Sequence, residues 1–91
     1  MGSERCVRVK INGYVQGIGF RAATQDIAQK HGITGKAVNC PDGSVEVTAC
    51  GEEDSIAKLV KWLHQGPDKA KVESVTVESV DVTTPKNFTT G

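Results

Sequence analysis

The apolar residues of this chain change their spacing across one short stretch, Gly13-Tyr14-Val15-Gln16-Gly17-Ile18-Gly19-Phe20-Arg21. Before it, Val7, Val9 and Ile11 alternate with Cys6, Arg8, Lys10 and Asn12, the period of a strand buried on one face. After it, Phe20, Ala23, Ile27 and Ala28 fall on one side of a helix, with Thr24, Gln25, Gln29 and Lys30 elsewhere, and Gly32 stops that helix. A strand that runs straight into a helix cannot return as a hairpin, so the next strand must be reached by a crossover. The linking stretch is also a ready-made anion site. The first N–H groups of a helix lack internal partners and sit at the positive end of its dipole. Gly17 and Gly19 can adopt backbone angles closed to other residues, which lets successive N–H groups converge. Arg21 adds a permanent charge that can grip phosphate with two prongs. A glycine-softened turn carrying a solvated arginine fits the same residues.

The rest of the chain completes a symmetrical order. Residues 34–40 read as a second strand, Pro41-Asp42-Gly43 as a tight turn, and Val45, Val47 and Ala49 as the buried side of a third strand over residues 44–50. Glu52-Glu53-Asp54-Ser55 offers negative charge and capping oxygens to a second helix. Its stripe is Ile56, Leu59, Val60 and Leu63, and Gly66-Pro67 ends it. Val72, Val75, Val77, Val80 and Val82 mark a last strand, whose parity slips between Val77 and Val80, predicting a bulge or the strand's end there. The order β-α-β-β-α-β predicts an α+β fold, a ferredoxin-like sandwich with sheet order 4-1-3-2 and two helices on one face, all valine faces meeting those helices. The expected organisation is one domain over residues 1–91, with residues 1–4 a tag remnant or loose start and residues 83–91 a polar tail.

Charge and composition exclude several functions. Eleven basic and eleven acidic side chains cancel, so a general nucleic-acid binder is not expected. The outward positions of strands one and three, among them Arg8, Lys10, Glu46 and Thr48, lack the aromatics on which bases stack. No Gly-Lys-Ser/Thr follows the glycines, which excludes a nucleotide P-loop. Three cysteines and His31 and His64 show no metal-ligand spacing, and His31, His64 and Trp62 read as surface or packing residues. No membrane-spanning run and no signal-peptide core is seen, so the default compartment is cytoplasmic.

In the predicted sheet, strand three separates parallel strands one and two, whose carboxyl ends therefore share one end of the sheet. Asn39, late in strand two, becomes a neighbour of the glycine loop. At this point the residues resemble a known family. Gly13-x-Val15-Gln16-Gly17-x-Gly19-Phe20-Arg21, then Gly32-x-x-Gly35, Asn39-x-Pro41-Asp42-Gly43-x-Val45-Glu46-Val47, Gly51-Glu52 and Trp62-Leu63-x-x-Gly66-Pro67 are similar, in order and spacing, to the acylphosphatase family over residues 5–82. The resemblance implies a hydrolase of the carboxyl–phosphate bond, an acid anhydride hydrolase acting on acyl phosphates. It implies that Arg21 binds the phosphate with backbone N–H groups of Val15, Gln16, Gly17, Ile18, Gly19 and Phe20, and that Asn39 positions the attacking water. The expected ligands are a small acyl phosphate and inorganic phosphate or sulfate as analogues. No cofactor, metal, nucleic acid, membrane or second subunit is expected. A non-catalytic anion-binding or regulatory module is the alternative. Asp42 is expected to serve the turn.

Two further expectations come from the implied fold. Cys6 and Cys50 have open-face parity on neighbouring antiparallel strands and form a candidate disulfide, with two reduced thiols as the alternative; Cys40 has no evident partner. The family ends on an aromatic followed by alternating apolar residues that pack as a short last strand. Here Phe88 is followed by Thr89-Thr90-Gly91, which predicts a weaker C-terminal lock.

Overall fold

The computed structural model describes residues 4–91. Its elements are β1 (Glu4–Tyr14), α1 (Phe20–Lys30), β2 (Thr34–Asn39), β3 (Val45–Glu52), α2 (Glu53–Leu63), β4 (Lys71–Ser79) and β5 (Phe88–Thr89). The expected α+β ferredoxin-like order is present, and the sheet runs β4-β1-β3-β2-β5. Strand β1 is antiparallel to both β3 and β4, and β2 is antiparallel to β3, so β1 and β2 point the same way. Residues 1–3 of the expected loose start lie outside the described residues, while Glu4 already belongs to β1.

The core forms because the alternating strand positions meet the helical stripes. Val7, Val9 and Ile11 of β1 and Val45, Val47 and Ala49 of β3 are sealed from solvent together with Ile56, Leu59 and Leu63 of α2. Each large side chain buried in this way contributes about 1.5–3 kcal/mol. Helix α1 buries Phe20, Thr24 and Ala28. Thr24 is therefore a core residue, contrary to its placement away from the buried face. Its Oγ1 donates to the Phe20 carbonyl at 2.8 Å, which removes the cost of burying the hydroxyl. Helix α2 starts without a side-chain cap. Glu53 and Asp54 in its first turn supply the favourable charge instead.

The last strand settles the expected slip and carries a bulge where none was expected. It ends at Ser79, so the parity slip before Val80 marks the strand's end. The bulge lies earlier. Asn12 faces Ser74 while Gly13 faces Val72, so Glu73 is the extra residue, and this brings Val72 and Val75, three apart, onto the same core side. The valines do not all meet the helices: Val77 and Val82 are exposed, because β4 lies at the sheet edge and Val82 lies beyond it.

The tail beyond Ser79 is not a loose end. It crosses the sheet face opposite the helices, where Val82, Thr83, Pro85 and Lys86 line a cleft with Arg8, Thr48 and Lys36. It then reaches the far edge as β5, parallel to β2, with Gly35 facing Phe88 and Lys36 facing Thr89. Phe88 is 3% exposed. Despite the weaker lock expected from Thr89-Thr90-Gly91, the short strand is present, with one buried aromatic and two backbone pairings. This crossing also explains why Thr48, on the face expected to be open, is buried.

Cys6 and Cys50 face each other in the β1–β3 register and are joined by a disulfide, with Cα atoms 4.1 Å apart. Cys40 is a free thiol. Among the described residues, no helix is long and apolar enough to cross a membrane.

Candidate active site

Strand β1 stops at Tyr14, and the chain turns through Val15–Gly19 into α1. Gly17 and Gly19 have φ values of 77° and 78°, the left-handed region expected for them. Gly19 is the N-cap of α1 and has no side chain with which to cap. A serine or aspartate there would occupy the first N–H groups of the helix; glycine leaves them for a ligand. The helix makes its first hydrogen bond from the Ala23 N–H to the Gly19 carbonyl, so the N–H groups of Phe20, Arg21 and Ala22 have no partner within it. Among the described residues, no N–H of Val15–Gly19 donates to a backbone carbonyl.

Phe20 roots this turn. It is 1% exposed and packs against Trp62 near the end of α2, with ring centroids 5.9 Å apart. Gly66 closes the other side: a Cβ there would lie 2.7 Å from the Phe20 ring, and φ at Gly66 is 69°. The Trp62 and Gly66 positions noted in the sequence thus serve the loop by holding Phe20. Arg21, the next residue, projects from the same helical turn but faces solvent-accessible space.

A cleft of about 190 Å³ lies at the carboxyl ends of β1 and β2, lined by Val15, Gly17, Gly19, Phe20, Arg21 and Asn39 together with Ala22, Gln25 and Thr90. Arg21 and Asn39, eighteen residues apart in sequence, are thus brought to one cavity by the sheet order. Gln16 and Ile18 do not line it. The Gln16 side chain turns to the β2–β3 hairpin and donates to the carbonyls of Cys40 and Ser44, each at 2.8 Å. Ile18 packs half-buried against the core.

The sequence reading missed Gln25 and Thr90. Arg21 Nη1 donates to the Thr90 carbonyl at 3.1 Å, and Gln25 Nε2 donates to the Phe88 carbonyl at 2.8 Å. The C-terminal segment, β5 and the residue after it, therefore supplies the acceptors for Arg21 and its helical neighbour Gln25. The available signal was the i, i+4 spacing of Arg21 and Gln25, which puts both on one helix face.

Asp42 serves the turn as expected, its Oδ1 accepting from the Ser44 N–H at 2.9 Å and the Ser44 hydroxyl at 2.6 Å. Its Oδ2 also meets Lys10 Nζ at 2.8 Å, tying the hairpin to β1. The Lys10 ammonium, and then the Ser44 donors, hold the Asp42 carboxyl well below the usual carboxylate range, and Asp42 in turn raises the Lys10 pKa. His31 and His64 lie at the helix C-termini, outside the cleft. Among the described residues, no cluster of three His, Cys, Asp or Glu side chains is placed to hold a metal ion.

Fold and cleft together define a ferredoxin-like α+β protein with a small, arginine-lined cavity where β1 turns into α1. The family model for acylphosphatase matches residues 7–90. An acylphosphatase of Halorhodospira halophila is 51% identical over 89 residues, covering 98% of this chain and 97% of that protein. One of Chromohalobacter salexigens is 46% identical over 88 residues, covering 97% and 98%. The structure of an acylphosphatase from Coxiella burnetii superposes with a TM-score of 0.93 at 39% identity, covering 97% of this chain and 93% of that one. The chain belongs to the acylphosphatase family, hydrolases that cleave the carboxyl–phosphate bond of acyl phosphates.

Proposed function

We propose that Arg21 and the backbone N–H groups of Val15 to Phe20 bind the phosphoryl group of a small acyl phosphate, and that Asn39 holds the attacking water in line with the bond to the leaving carboxylate. The reading rests on one observation: Arg21, Asn39 and the glycine turn line the same small cleft. Its chemistry asks little of the protein. The leaving group is a carboxylate, a weak base that departs without a strong general acid. Phosphoryl transfer of this kind depends on positioning and on stabilising charge at the equatorial oxygens. A guanidinium and converging amides supply the charge stabilisation, and the Asn39 amide supplies an acceptor and donors for one water. The substrate phosphate itself can take the proton of the water. Inorganic phosphate and sulfate, with the same tetrahedral oxygens, are expected to compete for the cleft.

The test uses benzoyl phosphate. Arg21→Gln is expected to abolish turnover and weaken inhibition by inorganic phosphate while the circular dichroism stays native. Asn39→Ala is expected to lower turnover strongly with phosphate inhibition mostly kept. Full activity in Arg21→Gln overturns the reading. Phosphate binding by the natural chain without turnover favours the anion-binding module instead.

A further inference from the structure

We infer that Gln16 is a positioning residue for the reaction: its side chain sets the separation between the phosphate turn and the strand end that carries Asn39. The inference rests on the roles proposed above for that turn and for Asn39. Gln16 belongs to the turn by its backbone but not by its side chain, which leaves the cleft and crosses to the β2–β3 hairpin. Its amide nitrogen carries two hydrogens, and both are used. One goes to the carbonyl of Cys40, the residue after Asn39, and the other to the carbonyl of Ser44 on the opposite arm of the hairpin, each at 2.8 Å. The two arms are themselves joined there, since the Cys40 N–H donates to the Ser44 carbonyl at 2.8 Å. The nitrogen thus bridges a closed pair of strands at their mouth. A surface glutamine would point its amide to water; this one is half-buried between two carbonyls.

The consequence is geometric. Asn39 is an exposed residue at the last position of β2, with no hydrogen bond from its own side chain to the protein among the described residues. Nothing at its own side chain fixes its distance from the phosphate turn. The Gln16 link does so from one residue away, because it spans turn and hairpin directly. Its removal leaves each carbonyl another donor, the Gly43 N–H for Cys40 and the Cys40 N–H for Ser44, so the fold has little to lose. What changes is the freedom of one half of the site relative to the other. A displacement of about 1 Å at reacting atoms can cost about 100-fold in rate.

The experiment is a double-mutant cycle with Gln16→Met, Asn39→Ala and the pair, read by kcat on benzoyl phosphate and by competitive inhibition with inorganic phosphate. Gln16→Met is expected to lower kcat about 10- to 100-fold. Its phosphate inhibition constant is expected to stay within about 2-fold, and its kcat loss to shrink to about 2-fold or less once Asn39 is alanine. Gln16→Asn keeps the chemistry but is one methylene short, and is expected to behave like Gln16→Met, which supplies the reading if the methionine variant folds poorly. Losses of kcat that multiply independently, a phosphate constant that weakens in step with kcat, or an unchanged kcat each overturn the inference. Full activity of Asn39→Ala overturns instead the role proposed for Asn39.

Discussion

Arg21 and Asn39 face one cleft but are mounted in different ways. Arg21 stands on a helix whose first residue, Phe20, is buried against Trp62 and Gly66, and its guanidinium is tied to Thr90, just past the C-terminal strand. Asn39 stands at the exposed end of β2, held through polar contacts of its neighbours: Gln16 to Cys40 and Ser44, and Lys10 to Asp42. The base of one mount is apolar and part of the core, so that base can fail only with the core. The other is a set of exchangeable hydrogen bonds in reach of water, so it can loosen while the protein stays folded. The positive end of the site is thus coupled to stability, and the water-holding end to local polar geometry.

The comparison is broken most severely at Phe20. Phe20→Ala is expected to cost about 3–5 kcal/mol, read as a fall in urea midpoint, and to weaken phosphate inhibition in the same sample. A stable variant with weak phosphate binding would separate the two effects and refute the coupling. Next comes a control from neither mount. The disulfide lies at the start of β1, at the end of the sheet away from the cleft, and links cysteines 44 residues apart. Cys6→Ser is expected to cost about 2–4 kcal/mol by the chain-entropy model. Its kcat is expected to be unchanged, measured below the new unfolding transition. A smaller effect is expected on the helix side. Gln25→Leu removes the bond to the Phe88 carbonyl, at about 0.5–1.5 kcal/mol for one hydrogen bond, and should reduce amide-exchange protection of β5.

The smallest effect is expected at Lys10. The Asp42 carboxyl has a lowered pKa in the folded protein, so what it adds to stability is fully present above the ordinary carboxylate range and is lost only as pH falls through the depressed folded value. Lys10→Met should bring the Asp42 titration back toward the ordinary carboxylate range, followed by carboxyl NMR, with the urea midpoint at neutral pH hardly moved. An Asp42 titration unmoved by that substitution would mean that Ser44 alone holds the carboxylate.

Local periodicity was enough for most of the fold. Val7, Val9 and Ile11 and the stripe at Ile56, Leu59 and Leu63 announce which faces are buried. The sheet order then follows from the crossovers, and with it the meeting of Arg21 and Asn39. The failures are equally local in cause. Thr24 is buried because its hydroxyl can bond within its own helix, which a polar/apolar reading cannot register. Glu73 is a bulge whose signal, the odd spacing of Val72 and Val75, was present but overshadowed by the slip before Val80. Strand β5 is too short to show an alternating pattern, so Thr90 could not be connected to the site from spacing.

That short strand has a consequence for how copies of the protein treat one another. A sheet edge offers a row of unpaired backbone groups on which another chain can grow. At one edge β4 is broken by the Glu73 bulge and carries Lys71 and Glu78, features that discourage such growth. At the other edge β2 would stand bare, but β5 pairs with Gly35 and Lys36. The same two residues that bring the Thr90 carbonyl to Arg21 also stopper the edge on which self-association would begin. Conditions that peel the C-terminus from β2 should silence the enzyme and make it aggregate at the same moment.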